Sequence, residues 1–189
     1  MTPEAISTTA DLKREQKKVR RGVAYAFVVS TVVLGAAHVL LPPLVGVTGD
    51  DLESRLRFWA GANLFVLLWI IIGVGMVSRG RRHSAEDIRG SAYAPPSPKI
   101  AIAAAFLQNT LEQGVITMFA LLLLVLLLRG PALPLVAGSV LLFTVGRVTF
   151  LAGYPKGAGA RSFGMALTVL PSLFAFALSA ASLIGGLMA

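Results

Sequence analysis

The 189-residue chain contains no cysteine. Disulfides, thiolate nucleophiles and cysteine-bound metals are thereby excluded, and the redox compartment leaves no mark on the sequence. Histidine occurs only as His38 and His83, on different segments, so no metal centre is expected. Charged residues make up 14% of the chain against 56% hydrophobic. Acid is scarcer still toward the C-terminus, where Glu112 is the one carboxylate side chain after Asp87. With a mean hydropathy of +0.77, so little charge argues against a soluble domain.

Long apolar runs are abundant. A hydrocarbon core of ~30 Å needs roughly 20 apolar residues at a helical rise of ~1.5 Å each. Five runs meet that length, at 22–43, 58–78, 99–128, 132–152 and 162–188. The first follows a long charged leader and closes on no small-x-small cleavage site, so it is expected to be a retained signal-anchor helix. The expectation is an all-α integral membrane protein of five transmembrane helices. Residues 1–18 form a polar cytoplasmic tail that frays or lies as a short helix on the membrane surface. An N-terminal transmembrane helix covers 19–43, and a four-helix membrane domain covers 58–188.

The net charge of +8 need not mean nucleic acid, because the charges sit at the ends of the apolar runs. Lys13, Arg14, Lys17, Lys18, Arg20 and Arg21 lie in the leader, and Arg79, Arg81, Arg82, Arg89 and Lys99 in the 79–99 loop. The intervening 44–57 segment is net acidic through Asp50, Asp51 and Glu53. By the positive-inside rule the N-terminus and the 79–99 loop face the cytoplasm and the C-terminus the opposite side of a bacterial-type inner membrane. Anionic headgroups account for the basic balance. Helix stops are expected at Pro42-Pro43, in the turn-rich SAYAPPSPK and at GPALP, with a kink at Pro171.

One polar island interrupts the third run: FLQNTLEQ, residues 106–113. Asn109, Glu112 and Gln113 stand at i, i+3 and i+4, on one helical face. An ionisable group inside a membrane helix costs roughly 2.5–3.5 kcal/mol at the centre, so such groups face a bundle interior or a wet cavity. The fourth run carries Arg147 within LLFTVGRVTFLAGY, on a face shared with Phe150 and Tyr154. Glu112 and Arg147 fall at comparable depths. Two readings follow: an interhelical ion pair that only neutralises both charges, or a polar pocket open to the cytoplasm with Asn109, Gln113, Tyr154 and Arg161 around it. His38 and Asn63 are read as packing or interhelical hydrogen-bonding residues.

The sequence N109-T-L-E112 on a long helix, then R147-V-T-F-L-A-G-Y154 one helix later and Arg161 beyond it, resembles the MAPEG family, the membrane-associated proteins in eicosanoid and glutathione metabolism. The resemblance spans roughly 58–188 and leaves the first helix as an addition to the family's four. It implies a homotrimer with glutathione as co-substrate, bound between subunits near the cytoplasmic face. It further implies that Asn109, Glu112 and Tyr154 hold the tripeptide and that Arg161 stabilises the thiolate; Gln113 and Arg147 join the substrate-binding set from the reading of the polar residues above. The chemistry implied is glutathione transfer or peroxidase activity on lipophilic small molecules from the bilayer. The alternative within the same family is a non-catalytic scaffold or lipid-binding subunit. Where many members carry an arginine this chain has Ala105, and where some carry a tyrosine it has Phe150.

Overall fold

The computed structural model describes residues 9–42, 51–128 and 132–188, with side chains to residue 186. Its five long helices are α1 (Thr9–Leu40), α2 (Leu52–Arg82), α3 (Ala101–Leu127), α4 (Ala132–Gly153) and α5 (Ala158–Met188). A single 3-10 turn, Tyr154–Lys156, joins the last two. All five are long and apolar enough to cross a membrane. The expected all-α architecture is therefore the observed one, a four-helix membrane bundle with an additional N-terminal helix.

The helices overrun the apolar runs because polar ends extend them past the hydrocarbon. Residues 9–18 continue α1 in the same helix, where fraying or a separate surface helix was expected. Lys18 reaches back to Glu15 at 2.6 Å, and the other Glu15 oxygen accepts the N–H of Gly159 at 3.1 Å. A carboxylate there satisfies an otherwise unpaired donor at the start of α5 and complements its dipole. α1 ends just before Pro42, and Pro43 lies outside the described residues. Asp51 caps α2 by accepting the Ser54 N–H at 2.9 Å. The rest of the acidic 44–50 stretch and part of the GPALP reversal lie outside the described residues. Pro171 is buried inside α5, which stays helical through it.

Around the bundle the order is α2, α3, α5, α4, with α1 laid against the α4–α5 edge. α4 buries most of its surface and leaves one exposed stripe, at Leu141, Val145, Val148 and Ala152. The core runs through Val66, Leu121, Leu124, Val125, Val136, Phe143 and Leu167. In lipid, apolar burial gives little net drive between helices, so close packing has to supply cohesion. Gly146 and Gly164 provide it between α4 and α5. A methyl group at Gly164 would stand 2.3 Å from the Phe150 backbone nitrogen, and one at Gly146 would stand 2.9 Å from the Gly164 carbonyl oxygen.

Polar side chains lock the same contacts. Arg55, only 6% exposed, donates to the carbonyls of Val125 and Leu128, orphaned acceptors at the C-terminus of α3 where a cation is favoured. Trp59 is half-buried and donates across to the Met118 carbonyl at 3.2 Å. Thr117 on α3 meets Ser172 on α5 at 2.8 Å.

Candidate functional site

The site lies toward the end of the bundle that bears the 83–100 loop. Arg147 is its hub and is wholly buried. One guanidinium nitrogen donates to Asn109 Oδ1 at 2.8 Å and contacts Thr110 Oγ1 at 3.5 Å; the other donates to Thr168 Oγ1 at 2.7 Å. The guanidinium also lies over two rings, 4.7 Å from the Phe150 centroid and 5.4 Å from that of Phe143. The cation is thus held by neutral acceptors and π-faces, each stronger in a medium of low dielectric than in water.

Glu112 is not Arg147's partner. The expected interhelical ion pair is absent: Glu112 is exposed on α3 and accepts from Gln108 of its own helix at 3.2 Å. The physical reason is azimuthal. At about 100° per residue, Thr110 and Glu112 rotate to opposite sides of Asn109, and the bundle interior lies on the Thr110 side.

From Arg147 a continuous line of contacts leads outward. Phe150 meets Tyr154 edge to face at 5.5 Å between centroids, and the Arg161 guanidinium lies 4.4 Å over the Tyr154 ring. Tyr154 and Arg161 are both half-buried. Among the described residues, the Arg161 guanidinium makes no hydrogen bond or ion pair, and its donors are left unspent. The same holds for Asn109 Nδ2, because Arg147 engages the amide oxygen. Of the six residues expected here, the structure joins Asn109, Arg147, Tyr154 and Arg161 through these contacts. Glu112 stands one turn from Asn109 on the outer face. Gln113 is buried on α3 with its Oε1 unpaired, away from the open end. Ala105 is half-buried and offers no cation.

Thr110 and Thr168, which complete the Arg147 cage, were not singled out in the sequence. Their signal was present: hydroxyls at 110, 117, 168 and 172 recur at helical spacing on two apolar helices. Asn63 bonds within its own helix, to the Trp59 carbonyl at 2.8 Å, rather than between helices. His38 is exposed rather than packed. No three His, Asp or Glu side chains gather at metal-binding distance among the described residues.

The loop beside the site is built around Asp87. Its carboxylate accepts Ser84 Oγ at 2.5 Å, Ser97 N at 2.8 Å and Ser97 Oγ at 2.6 Å. These bonds, the Ser84 hydroxyl first, hold its carboxyl below the usual range. Arg81 donates to Ser91 Oγ at 2.5 Å and anchors the same loop.

The MAPEG family model matches residues 56–181. The chain belongs to the MAPEG family. No curated protein and no solved structure matches it. The matched segment opens within α2 and closes within α5, so it takes in the four-helix bundle and the whole Asn109–Arg161 line, while α1 lies outside it. MAPEG membership makes this chain an integral membrane protein of a family named for eicosanoid and glutathione metabolism.

Proposed function

We propose that this protein is a glutathione transferase or peroxidase of the cytoplasmic membrane that acts on lipophilic electrophiles. The observation that carries the reading is the line of contacts from Asn109 through Arg147, Phe150 and Tyr154 to Arg161, which ends in a guanidinium with free donors. Glutathione lies along that line, its thiol at Arg161. A cation beside sulfur favours thiolate over thiol and raises the population of the nucleophile near neutral pH. The thiol proton passes to water at the basic-loop end. In transfer, the sulfur lone pair forms the C–S bond as the leaving group departs with its electrons. In peroxidase chemistry two thiols become one disulfide, while a hydroperoxide becomes an alcohol and water.

Arg147 acts here as a positioning residue. By holding Asn109 Oδ1 it fixes which end of the amide faces outward, so Nδ2 donates to a peptide carbonyl or carboxylate. Glu112 accepts from the ligand's ammonium. The exposed Gln108 and Glu112 sit among exposed Leu111, Val115, Ile116 and Phe119. A carboxylate facing lipid is costly, and a neighbouring copy in a homotrimer covers it and completes the site. The positive charge of the leader and of the 79–99 loop supports a cytoplasmic N-terminus and site.

The test is glutathione binding by calorimetry, with ultraviolet absorbance to report thiolate. The intact protein binds at millimolar concentration, and Arg161→Ala lowers the thiolate fraction about tenfold, a shift near one pKa unit. Failure of the folded protein to bind glutathione overturns the enzymatic reading. The result then favours a scaffold or lipid-binding role, consistent with Ala105 in place of a cation.

A further inference from the structure

The start of α5 is built from residues that cannot cap it themselves. The Tyr154–Lys156 turn runs into Gly157, whose φ of +97° favours glycine. The Arg161 N–H donates to the Gly157 carbonyl at 3.3 Å. Gly157 is therefore the N-cap, the residue whose carbonyl accepts the first helical bond. An N-cap side chain normally accepts the N–H two or three residues further on, and glycine has none to offer. Ala158, Gly159 and Ala160 follow and bring no side-chain acceptor either, while a glycine within a helix favours fraying.

The missing cap comes from α1, the helix outside the family-matched segment. Glu15 Oε2 accepts the Gly159 N–H at 3.1 Å, which is the bond a local cap would make. The other carboxylate oxygen is held by Lys18 Nζ at 2.6 Å, so the carboxylate is fixed in place. Glycines permit the approach: a methyl group at Gly159 would stand 2.6 Å from Lys18 Cβ, and one at Gly22 would collide with Ser162 Oγ. From α4, a methyl group at Gly153 would stand 2.9 Å from Arg161 Cα. The first turn of α5 is thus clasped by α4 and α1 together, and it is the turn that carries Arg161.

We propose that Glu15 is a positioning residue for Arg161: by capping α5 from α1, it holds the Arg161 guanidinium over the Tyr154 ring, 4.4 Å from the centroid. Without the cap the first turn of α5 frays and the guanidinium leaves the ring. The added helix thereby sets the geometry of a residue inside the family-matched segment. The consequence for a bound thiol rests on the glutathione reading, whereas the placement of Arg161 rests on the contacts alone. Geometry and charge act with opposite sign here. A carboxylate near a thiolate disfavours the charged form, so Glu15 raises the thiolate population only by keeping Arg161 in place.

The test compares three variants of the full chain in phosphatidylcholine nanodiscs. Glu15→Ala removes the acceptor, Glu15→Asp keeps the charge but falls one methylene short of the 3.1 Å bond, and Glu15→Gln keeps reach and an acceptor oxygen without the charge. Labelling of Arg161 by p-hydroxyphenylglyoxal, mapped by mass spectrometry without glutathione, rises about tenfold in the alanine and aspartate variants, the equilibrium worth of a cap. Hydrogen exchange of 158–162 rises with it, and Glu15→Gln matches the parent in both. Buried Arg55 and Arg147 stay unlabelled throughout, which reports an intact bundle. With glutathione bound, the alanine and aspartate variants lower the thiolate fraction about threefold, half a pKa unit, and Glu15→Gln does not. Unchanged Arg161 labelling in Glu15→Ala and Glu15→Asp overturns the proposal, as does a change in Glu15→Gln as large as that in Glu15→Ala. A thiolate fraction that rises in Glu15→Ala also overturns it, because the carboxylate then acts by charge alone. If the parent protein binds no glutathione, the proposed function falls, and the labelling result still decides whether Glu15 places Arg161.

Discussion

Arg147 on α4 donates to Asn109 Oδ1 on α3 at 2.8 Å, and this bond joins a fully buried arginine to the first residue of the N-x-x-E motif. The pairing gives the amide a fixed sense. With the oxygen turned inward to a cation, Nδ2 is the group presented outward. It also explains how a guanidinium survives at the centre of an apolar bundle: three side-chain oxygens and two rings surround it.

Thr168→Val tests the cage. The change keeps shape but removes the oxygen that accepts from Arg147 at 2.7 Å, leaving a charged donor unpaired in a buried site. A loss of about 1–3 kcal/mol follows, read as a lower midpoint in detergent-solubilised thermal unfolding. Thr149→Val is the control, because the Thr149 hydroxyl bonds only its own helix, at the Val145 carbonyl, and should leave the midpoint nearly unchanged. Equal effects from the two variants would refute the cage.

Gly164→Ala tests the α4–α5 seam. The new methyl would meet backbone atoms of Phe150 and the Gly146 carbonyl at 2.3 and 2.6 Å, which cannot swing aside as a flexible side chain can. Overpacking should cost about 1–3 kcal/mol or more and shift Phe150, and with it Arg147 and Tyr154. Gly75→Ala, where nothing lies within 4 Å, should instead stabilise by about 0.5–1 kcal/mol through helix propensity. Opposite signs in the two melting curves are the expected result.

The five membrane segments were legible because hydrocarbon thickness imposes a length that no soluble helix needs to honour. The family was legible in N109-T-L-E112 and Y154 with Arg161, since those spacings survive in sequence. Arg147's partner was not. Hydropathy gives depth along a helix but not rotation about it, so Glu112 and Arg147 looked matched while they face different directions. Arg55 escaped notice for a related reason: it lies in an acid-rich stretch that reads as a loop, and only the packing of α2 on α3 brings it under the Val125 and Leu128 carbonyls. The helix start at Leu52 was hidden because Asp51 caps it through a side-chain contact that apolar runs do not record.

Acid should loosen the 83–100 loop. Asp87 has its carboxyl held below the ordinary range by the Ser84 and Ser97 bonds. Its folded pKa is thus depressed relative to an unfolded value of about 3.9. Such a group contributes its stabilisation fully above the unfolded value and loses it as pH falls through the lower folded one. Hydrogen exchange of 84–97 should stay slow from neutral pH down to about pH 4 and accelerate below it. Asp87→Asn should show the fast exchange already at neutral pH, with the helices unaffected.

A double-mutant cycle separates the observed pairing from the one that depth alone suggested. Asn109 touches Arg147, so Asn109→Ala and Arg147→Met should couple by about 0.5–3 kcal/mol, as groups in one hydrogen-bonded network do. Glu112 has its own partner in Gln108 and faces outward, so Glu112→Gln and Arg147→Met should add to within about 0.5 kcal/mol. Glu112→Gln by itself should leave the thermal midpoint of the single chain nearly untouched. Under the proposed function it should still weaken glutathione binding, because the lost charge faces the ligand's ammonium rather than the bundle. A strong coupling between Glu112 and Arg147 would mean that the two meet after all. In that case the amide of Asn109 would no longer be set by Arg147 alone, and Glu112 would pass from ligand contact to structural counter-charge.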